Sequence, residues 1–306
     1  MRPSSSTYRA NHFPGYFTSV LVAGIAGLVA NCSTNTGPEF GKQLAFRSGS
    51  GFELTNVGVL GTTGRALIWG DTSGDAPMCP AWSPDGRSIA FHLLLANQVY
   101  VFSLATGAVR QLTSGSNLNQ CPMWSPDGTR IAYFSGPSTA PNGSALYVMN
   151  ADGSGQTQLG TGRFDADHGA WSPDGRWIIA SAFLSSHLVL VDALTGAITK
   201  ELTFGNDRAP AWSPDGTSIA FSRELSVTAI FVMHADGTFL RQLSVPPDGT
   251  VDGYPSWSPD GNLIAFHRYG LARWPSGTIR IVSLGESVLQ WPDSLPYAGD
   301  LPIWRP

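Results

Sequence analysis

Short apolar segments recur along the chain at regular intervals. Five triplets of the Ile-Ala-Phe type begin at positions 89, 131, 178, 219 and 264. Each is followed 10 to 15 residues later by a second apolar triplet, such as Val99-Tyr100-Val101. Polar turns of the Ala-Asp-Gly type come next, and then a fourth segment such as Arg110-Gln111-Leu112-Thr113. Short apolar runs bounded by Gly, Asp and Pro are typical of β-strands, so each unit is predicted to contain four strands.

The motif Trp-Ser-Pro-Asp-Gly precedes each Ile-Ala-Phe triplet. Its five copies are spaced by 42, 47, 41 and 45 residues and begin at Trp82, Trp124, Trp171, Trp212 and Trp257. Pro favours the first corner of a tight turn, Asp bonds nearby backbone, and Gly supplies the left-handed position. We therefore interpret the Asp residues as turn residues and the Trp residues as core side chains between repeats. Four short strands every 40–50 residues is typical of a propeller blade.

The two ends of the chain together complete a sixth repeat. The C-terminal Leu301-Pro302-Ile303-Trp304 matches the start of a unit, 47 residues after Trp257, and residues 41–46 match residues 86–91. The sequence therefore predicts an all-β, six-bladed β-propeller over residues 41–306. In it, the C-terminal strand completes an N-terminal blade of three strands. Closing the ring in this way removes exposed sheet edges.

These repeats resemble those of the TolB-type β-propeller family, which carry Pro-x-Trp-Ser-Pro-Asp-Gly, Ile-Ala-Phe and Arg-Gln-Leu-Thr. The resemblance covers about residues 41–306. It implies a non-enzymatic scaffold that binds proteins in the bacterial cell envelope. In TolB an α/β domain precedes the propeller. Here a short stretch separates Cys32 from the first strand, so we expect the propeller without that domain.

Residues 1–31 have the features of a lipoprotein-type signal peptide. Residues 16–30 are apolar and uncharged, but too short for a membrane span of about 20 residues. The following Asn31-Cys32 completes a segment that resembles a bacterial lipobox, where the Cys is acylated, although Asn31 departs from the usual small residue. Ser33 favours the outer membrane by the enterobacterial sorting rule. An ordinary cleaved signal and an uncleaved anchor are the alternatives, and in each case we expect export. Residues 32–40 are then a linker.

Composition narrows the class of partner. The net charge is −4 and no long basic run is present, which argues against nucleic acid as a partner. The sequence contains no Gly-x-Ser-x-Gly or His-Glu-x-x-His motif, which favours a non-enzymatic role. We expect a monomer that meets the membrane only through lipid at Cys32.

Candidate chemistry lies in the loops that enter each innermost strand, because these loops meet at the mouth of the central channel. Three residues before the six Trp residues stand, in order, Cys79, Cys121, His168, Ala209, Tyr254 and Leu301. Thiols, imidazoles and carboxylates are cation ligands. The candidate set is Cys79, Cys121, Asp167, His168, Asp207, Asp252 and Asp300. These residues could bond one another and water, hold a cation, or take part in catalysis.

Several alternatives stay open at this point. Cys79 and Cys121 could be buried thiols, a disulfide or metal ligands. A disulfide needs Cα atoms within about 7 Å, which requires a narrow channel. The expected role is an envelope scaffold that binds a protein or peptide and needs no cofactor. The alternative is a lactonase-like hydrolase that uses a divalent cation or small molecule at the mouth. The remaining histidines of the repeats are interpreted as surface or packing residues: His92, His187, His234 and His267.

Overall fold

Residues 42–48, 51–58, 61–70, 75–137, 143–270, 277–284 and 300–306 are described by the computed structural model. They all belong to one compact unit, Glu39–Pro306. The signal and linker assigned to residues 1–40, including Cys32, lie outside the described residues, so those boundaries stay predictions. Every regular element in the described ranges is a strand. No helix found there is long and apolar enough to cross a membrane.

The strands form six sheets, which are the blades of the propeller. The first three strands are β1 (Lys42–Ser48), β2 (Gly51–Gly58) and β3 (Gly61–Gly70). Blade 1 contains β4 (Pro77–Trp82), β5 (Ser88–Leu93), β6 (Val99–Ser103) and β7 (Val109–Gln111). Blade 2 contains β8 (Leu118–Trp124), β9 (Arg130–Gly136), β10 (Ala145–Asn150) and β11 (Thr157–Gln158). Blade 3 contains β12 (Ala170–Trp171), β13 (Trp177–Ser181), β14 (Leu188–Asp192) and β15 (Ile198–Glu201).

Two further blades complete the ring. Blade 4 contains β16 (Asn206–Trp212), β17 (Ser218–Glu224), β18 (Thr228–His234) and β19 (Arg241–Gln242). Blade 5 contains, in the described residues, β20 (Thr250–Trp257), β21 (Leu263–Gly270) and β22 (Gly277–Ser283). The last strand, β23 (Asp300–Trp304), joins the first three to make blade 6. All pairings are antiparallel, so the all-β, six-bladed prediction is confirmed.

The Ser-Pro-Asp-Gly segments are tight turns between the first and second strands of blades 1 to 5. In blade 1 the hydroxyl of Ser83 donates to the Asp85 carboxylate over 2.6 Å, and the backbone N–H of Arg87 donates to the same oxygen. These two hydrogen bonds, led by that from Ser83, lower the pKa of Asp85. Gly86 has φ of 65°, the left-handed conformation that returns the chain to β5. The Asp residues of the turns therefore organise backbone.

The ring closes through β23, which pairs antiparallel with β1. Leu44 lies opposite Trp304, and the order of strands in blade 6 is β23-β1-β2-β3. Arg305 extends the closure to blade 1, because its Nε donates to the carbonyl of Gly86 over 2.9 Å. This arrangement confirms the predicted closure of an N-terminal blade by the C-terminal strand.

The repeated Trp residues lie between neighbouring blades. Those of blades 1, 3, 5 and 6 are at most 8% exposed, and those of blades 2 and 4 are partly buried. The indole N–H of Trp257 donates to the carbonyl of Ala211 in the preceding blade over 3.1 Å. The guanidinium of Arg130 in blade 2 lies 4.9 Å from the ring centre of Trp171 in blade 3. Each blade therefore completes part of the core of the next.

Removing the closing strand should destabilise the ring. Trp304 is 5% exposed, so Trp304→Ala should cost about 3–5 kcal/mol of unfolding free energy. Because domains have total stabilities of about 5–15 kcal/mol, this variant should fold but melt early. Deletion of residues 299–306 leaves the edge of β1 unpaired and should cause aggregation. Thermal unfolding measures both, with a deletion of residues 33–38 as control. Equal melting of the C-terminal deletion and the control would mean that β23 does not close the ring.

Candidate functional site

A backbone bulge in the innermost strands shapes the channel mouth. In five blades the residue three positions before the Trp has a positive φ, between 47° and 58°: Cys79, Cys121, Ala209, Tyr254 and Leu301. A Pro follows each of them. The pairing of the inner strand with its neighbour shifts register in this region in every one of these blades. Bulges re-aim side chains, and a positive φ is uncommon for residues other than Gly, so this is a repeated feature of the fold.

Two of these bulges bring Cys79 and Cys121 together. Their Cα atoms lie 4.8 Å apart, and their sulfur atoms form a disulfide that joins the inner strands of blades 1 and 2. Of the three alternatives that the sequence left open, the structure therefore has the disulfide. Its 42-residue separation corresponds to a stabilisation of about 4 kcal/mol in the chain-entropy description.

Two histidines flank the disulfide. His92, at the end of β5, is 4% exposed, and its Nδ1 accepts the backbone N–H of Cys121 over 3.2 Å. Burial, with a smaller effect of nearby His168, lowers the pKa of His92 to about 3, so the ring is neutral at physiological pH. The Nδ1 of His168 lies 3.8 Å from the sulfur of Cys79. The interpretation of His92 as a surface or packing residue missed this contact with the mouth.

His168 and Asp167 form the accessible part of this cluster. Their side chains are 23% and 26% exposed, and Nδ1 of His168 lies 3.0 Å from a carboxylate oxygen of Asp167. The imidazole also packs against the ring of Tyr254, with centroids 4.8 Å apart. The structure thus brings together four of the predicted residues and adds His92.

Asp207 and Asp252 do not join the cluster. Each is fully buried and makes a two-point ion pair with an arginine on the next strand of its own blade. Asp207 accepts from Arg223 over 2.6 and 2.8 Å, and Asp252 accepts from Arg268 over 2.6 and 2.7 Å. The expectation that they converge on the mouth as ligands is therefore corrected. Asp300 lies opposite Arg47 in the β23–β1 pairing, and its side chain is outside the described part of the chain.

Open space adjoins Asp167. A cavity of about 510 Å³ is lined by residues of blades 2 to 5, among them Phe164, Asp165, Arg208 and Tyr254. Burial raises the pKa of Asp165, against a hydrogen bond from Ser186 that lowers it. A smaller cavity of about 90 Å³ adds Glu224 and Tyr269 to the same region. Acidic, basic and aromatic side chains therefore meet beside the disulfide and His168.

Substituting a buried, ion-paired aspartate should destabilise the fold more than substituting the partly exposed aspartate of the mouth. Asp207→Asn leaves the guanidinium of Arg223 without its carboxylate, and breaking such a buried pair should cost about 3 kcal/mol of unfolding free energy. Asp167→Asn changes a partly exposed side chain and should cost less than about 1 kcal/mol. Urea denaturation of the two variants measures the difference. Equal stabilities would show that the Asp207–Arg223 pair does not hold blade 4 together.

Comparisons with known proteins agree with this architecture. Residues 57–186 match the family model described as the TolB beta propeller domain. The crystal structure of TolB from Acinetobacter baumannii is 20% identical, with a TM-score of 0.67 over 87% of this chain and 67% of that one. The protein assigned as TolB in Agrobacterium tumefaciens is also 20% identical, with a TM-score of 0.62 over 80% of this chain and 86% of that one.

A further structural match is weaker. Hydrazine synthase from Kuenenia stuttgartiensis is 14% identical, with a TM-score of 0.50 over 68% of this chain and 63% of that one. The sequence matches no curated protein at a significant level. At these identities the structural likeness establishes the fold alone. The family match over residues 57–186 and the Trp-Ser-Pro-Asp-Gly repeats, which continue to Trp257, make the chain similar to propellers of the TolB-type repeat family.

Proposed function

We propose that the chain is an exported, lipid-anchored propeller that binds an envelope protein or peptide without catalysing a reaction. The binding surface in this proposal is the mouth face. We define it, within the described residues, as the face that carries the channel mouth, the turns between the second and third strands of the blades, and the connections from one blade to the next. Antiparallel pairing places these segments together: the backbone N–H of Leu94 donates to the carbonyl of Ala76, and the N–H of Asp207 to the carbonyl of Ser186.

The observation that carries the proposal is a set of exposed apolar side chains on this face. They stand at turns and connections of four blades, are 59–88% exposed, and comprise Leu95, Leu184, Phe204, Leu225 and Val245. Turn tips are ordinarily polar, because apolar side chains gain nothing from exposure to water. We infer that these side chains anchor a partner, as exposed apolar surface does at protein-interaction sites.

The polar groups beside these side chains suit a protein partner. The 510 Å³ cavity is lined by residues of blades 2 to 5, with Asp165, Asp167 and Arg208 in its wall and Tyr254 beside them. Interfaces combine apolar and aromatic anchors with a small number of directed polar contacts. We infer that the partner inserts an apolar segment that also carries a polar or charged side chain.

The alternative role as a metal- or small-molecule-dependent hydrolase has less support. Such a site would need several carboxylates as ligands. Asp207 and Asp252 each form an ion pair with an arginine of their own blade. This observation favours the binding role over the hydrolase.

Lipid anchoring rests on the apolar residues 16–30, which are followed by Asn31 and Cys32. Cys32→Ser should abolish incorporation of a radioactive fatty acid and either release the protein or leave it unprocessed. The double variant Cys79→Ser/Cys121→Ser is the matched control, because it retains Cys32 and should keep the label. Label that persists in Cys32→Ser, or never enters the wild type, contradicts the anchor.

The mouth face can be tested against the opposite face. The double variant Leu184→Ser/Phe204→Ser changes side chains of the mouth face that are 88% and 78% exposed, so it should leave the fold intact. It should reduce cross-linking to an envelope partner at least about tenfold, as loss of an interface anchor does. Cross-linking in intact cells, followed by detergent extraction, measures the effect.

The control for this test is Phe239→Ser/Leu240→Ser. These residues are also exposed, but lie at the turn between β18 and β19, which is on the opposite face. The control should retain the partner that the wild type captures. Loss of the partner in the control alone, or equal capture by all three proteins, would overturn the assignment to the mouth face.

A further inference from the structure

We infer that Cys79, Cys121 and His92, with His168 as fourth ligand, form a zinc-class cation site when the disulfide is reduced. The inference is independent of the binding role proposed above. It rests on how closely two thiols and two imidazoles approach one another at the channel mouth.

The candidate ligand atoms already lie close to one another. One ligand atom from each of Cys79, His92 and Cys121 lies within 4.8 Å of the other two. The Nδ1 of His168 is 3.8 Å from the sulfur of Cys79. Zn–S bonds of about 2.3 Å and Zn–N bonds of about 2.0–2.1 Å place tetrahedral ligands roughly 3.3–3.8 Å apart. Reduction of the disulfide would let the two sulfur atoms move apart to this spacing, and rotation of the two imidazoles would complete the site.

The surroundings favour a cation of this class. Cys79, Cys121 and His92 are each at most 5% exposed, and the left-handed bulges fix the directions of both cysteines. Two sulfur and two nitrogen donors select zinc and related transition metals over calcium or magnesium. Asp167 contacts the same Nδ1 of His168 that approaches Cys79, so zinc binding at this atom would replace that contact.

Reduction is the step that opens the site. A dithiol reductant supplies two electrons and two protons, which convert the disulfide into two thiols while the reductant becomes a disulfide. Binding of one Zn²⁺ then displaces the two thiol protons and leaves two thiolate ligands. In the disulfide the sulfur atoms are bonded to each other, so no thiolate is available. In the oxidised chain a disulfide would link blades 1 and 2. In the reduced chain a bound metal ion would link blades 1, 2 and 3.

The test uses the untagged full chain in detergent under anaerobic conditions. One sample is reduced with a dithiol and desalted, and the other stays oxidised. Titration with Zn²⁺ against a chromophoric chelator should give about one equivalent per reduced chain and less than about a tenth per oxidised chain. Co²⁺ in the reduced chain should show the absorption of a tetrahedral, thiolate-ligated ion.

Variants separate the site from adventitious binding. Cys79→Ser/Cys121→Ser should lose the zinc. His168→Phe leaves the disulfide intact and should weaken zinc binding to the reduced chain by at least about tenfold. His234→Ala, an exposed histidine on another blade, is the control and should bind as the wild type does. Equal binding by oxidised and reduced chains, or full binding by the double cysteine variant, would overturn the site. Unchanged binding by His168→Phe would overturn its place as the fourth ligand.

Discussion

Each blade buries its apolar faces only against its two neighbours, so the whole structure depends on closing the ring. Strand β23 provides that closure by pairing with β1, and Trp304 fills the same place in blade 6 that the other repeated Trp residues fill in their blades. Closure also fixes the separation of equivalent inner strands around the channel. The inner strands of blades 1 and 2 approach closely enough for the disulfide, with 4.8 Å between the Cα atoms of Cys79 and Cys121.

The bulge in the inner strands is a repeated backbone element whose side chain differs from blade to blade. Its left-handed residue and the Pro after it recur in five blades, while the side chain at the left-handed position is Cys, Cys, Ala, Tyr or Leu. The bulge re-aims these side chains near the channel mouth. A change of residue type at this position can therefore alter the chemistry of the mouth without altering the blade, because the turn and the Trp that specify the blade lie elsewhere.

The fold was predictable from sequence because its turns and strands repeat. The site was predictable only for residues that stand at the same position relative to the repeated Trp. Cys79, Cys121 and His168 stand out once the Trp residues are aligned. Asp207 and Asp252 were misjudged because their partners lie on the next strand. Each arginine follows its aspartate by 16 residues, a common offset that would have indicated two pairs. His92 was missed because it lies at a strand end rather than in an entering loop.

Blade 3 is the exception among the blades, and the accessible chemistry of the mouth lies there. Its inner strand β12 has two residues, against five to eight in the others, and Gly169 stands where they have Pro. The disulfide joins blades 1 and 2, and one arginine–aspartate pair lies within each of blades 4 and 5. The shortened strand of blade 3 leaves Asp167 and His168 in the entering loop, beside the cavity. Natural proteins depart from local regularity mainly at functional sites, so the proposed binding role would place its polar contacts at blade 3.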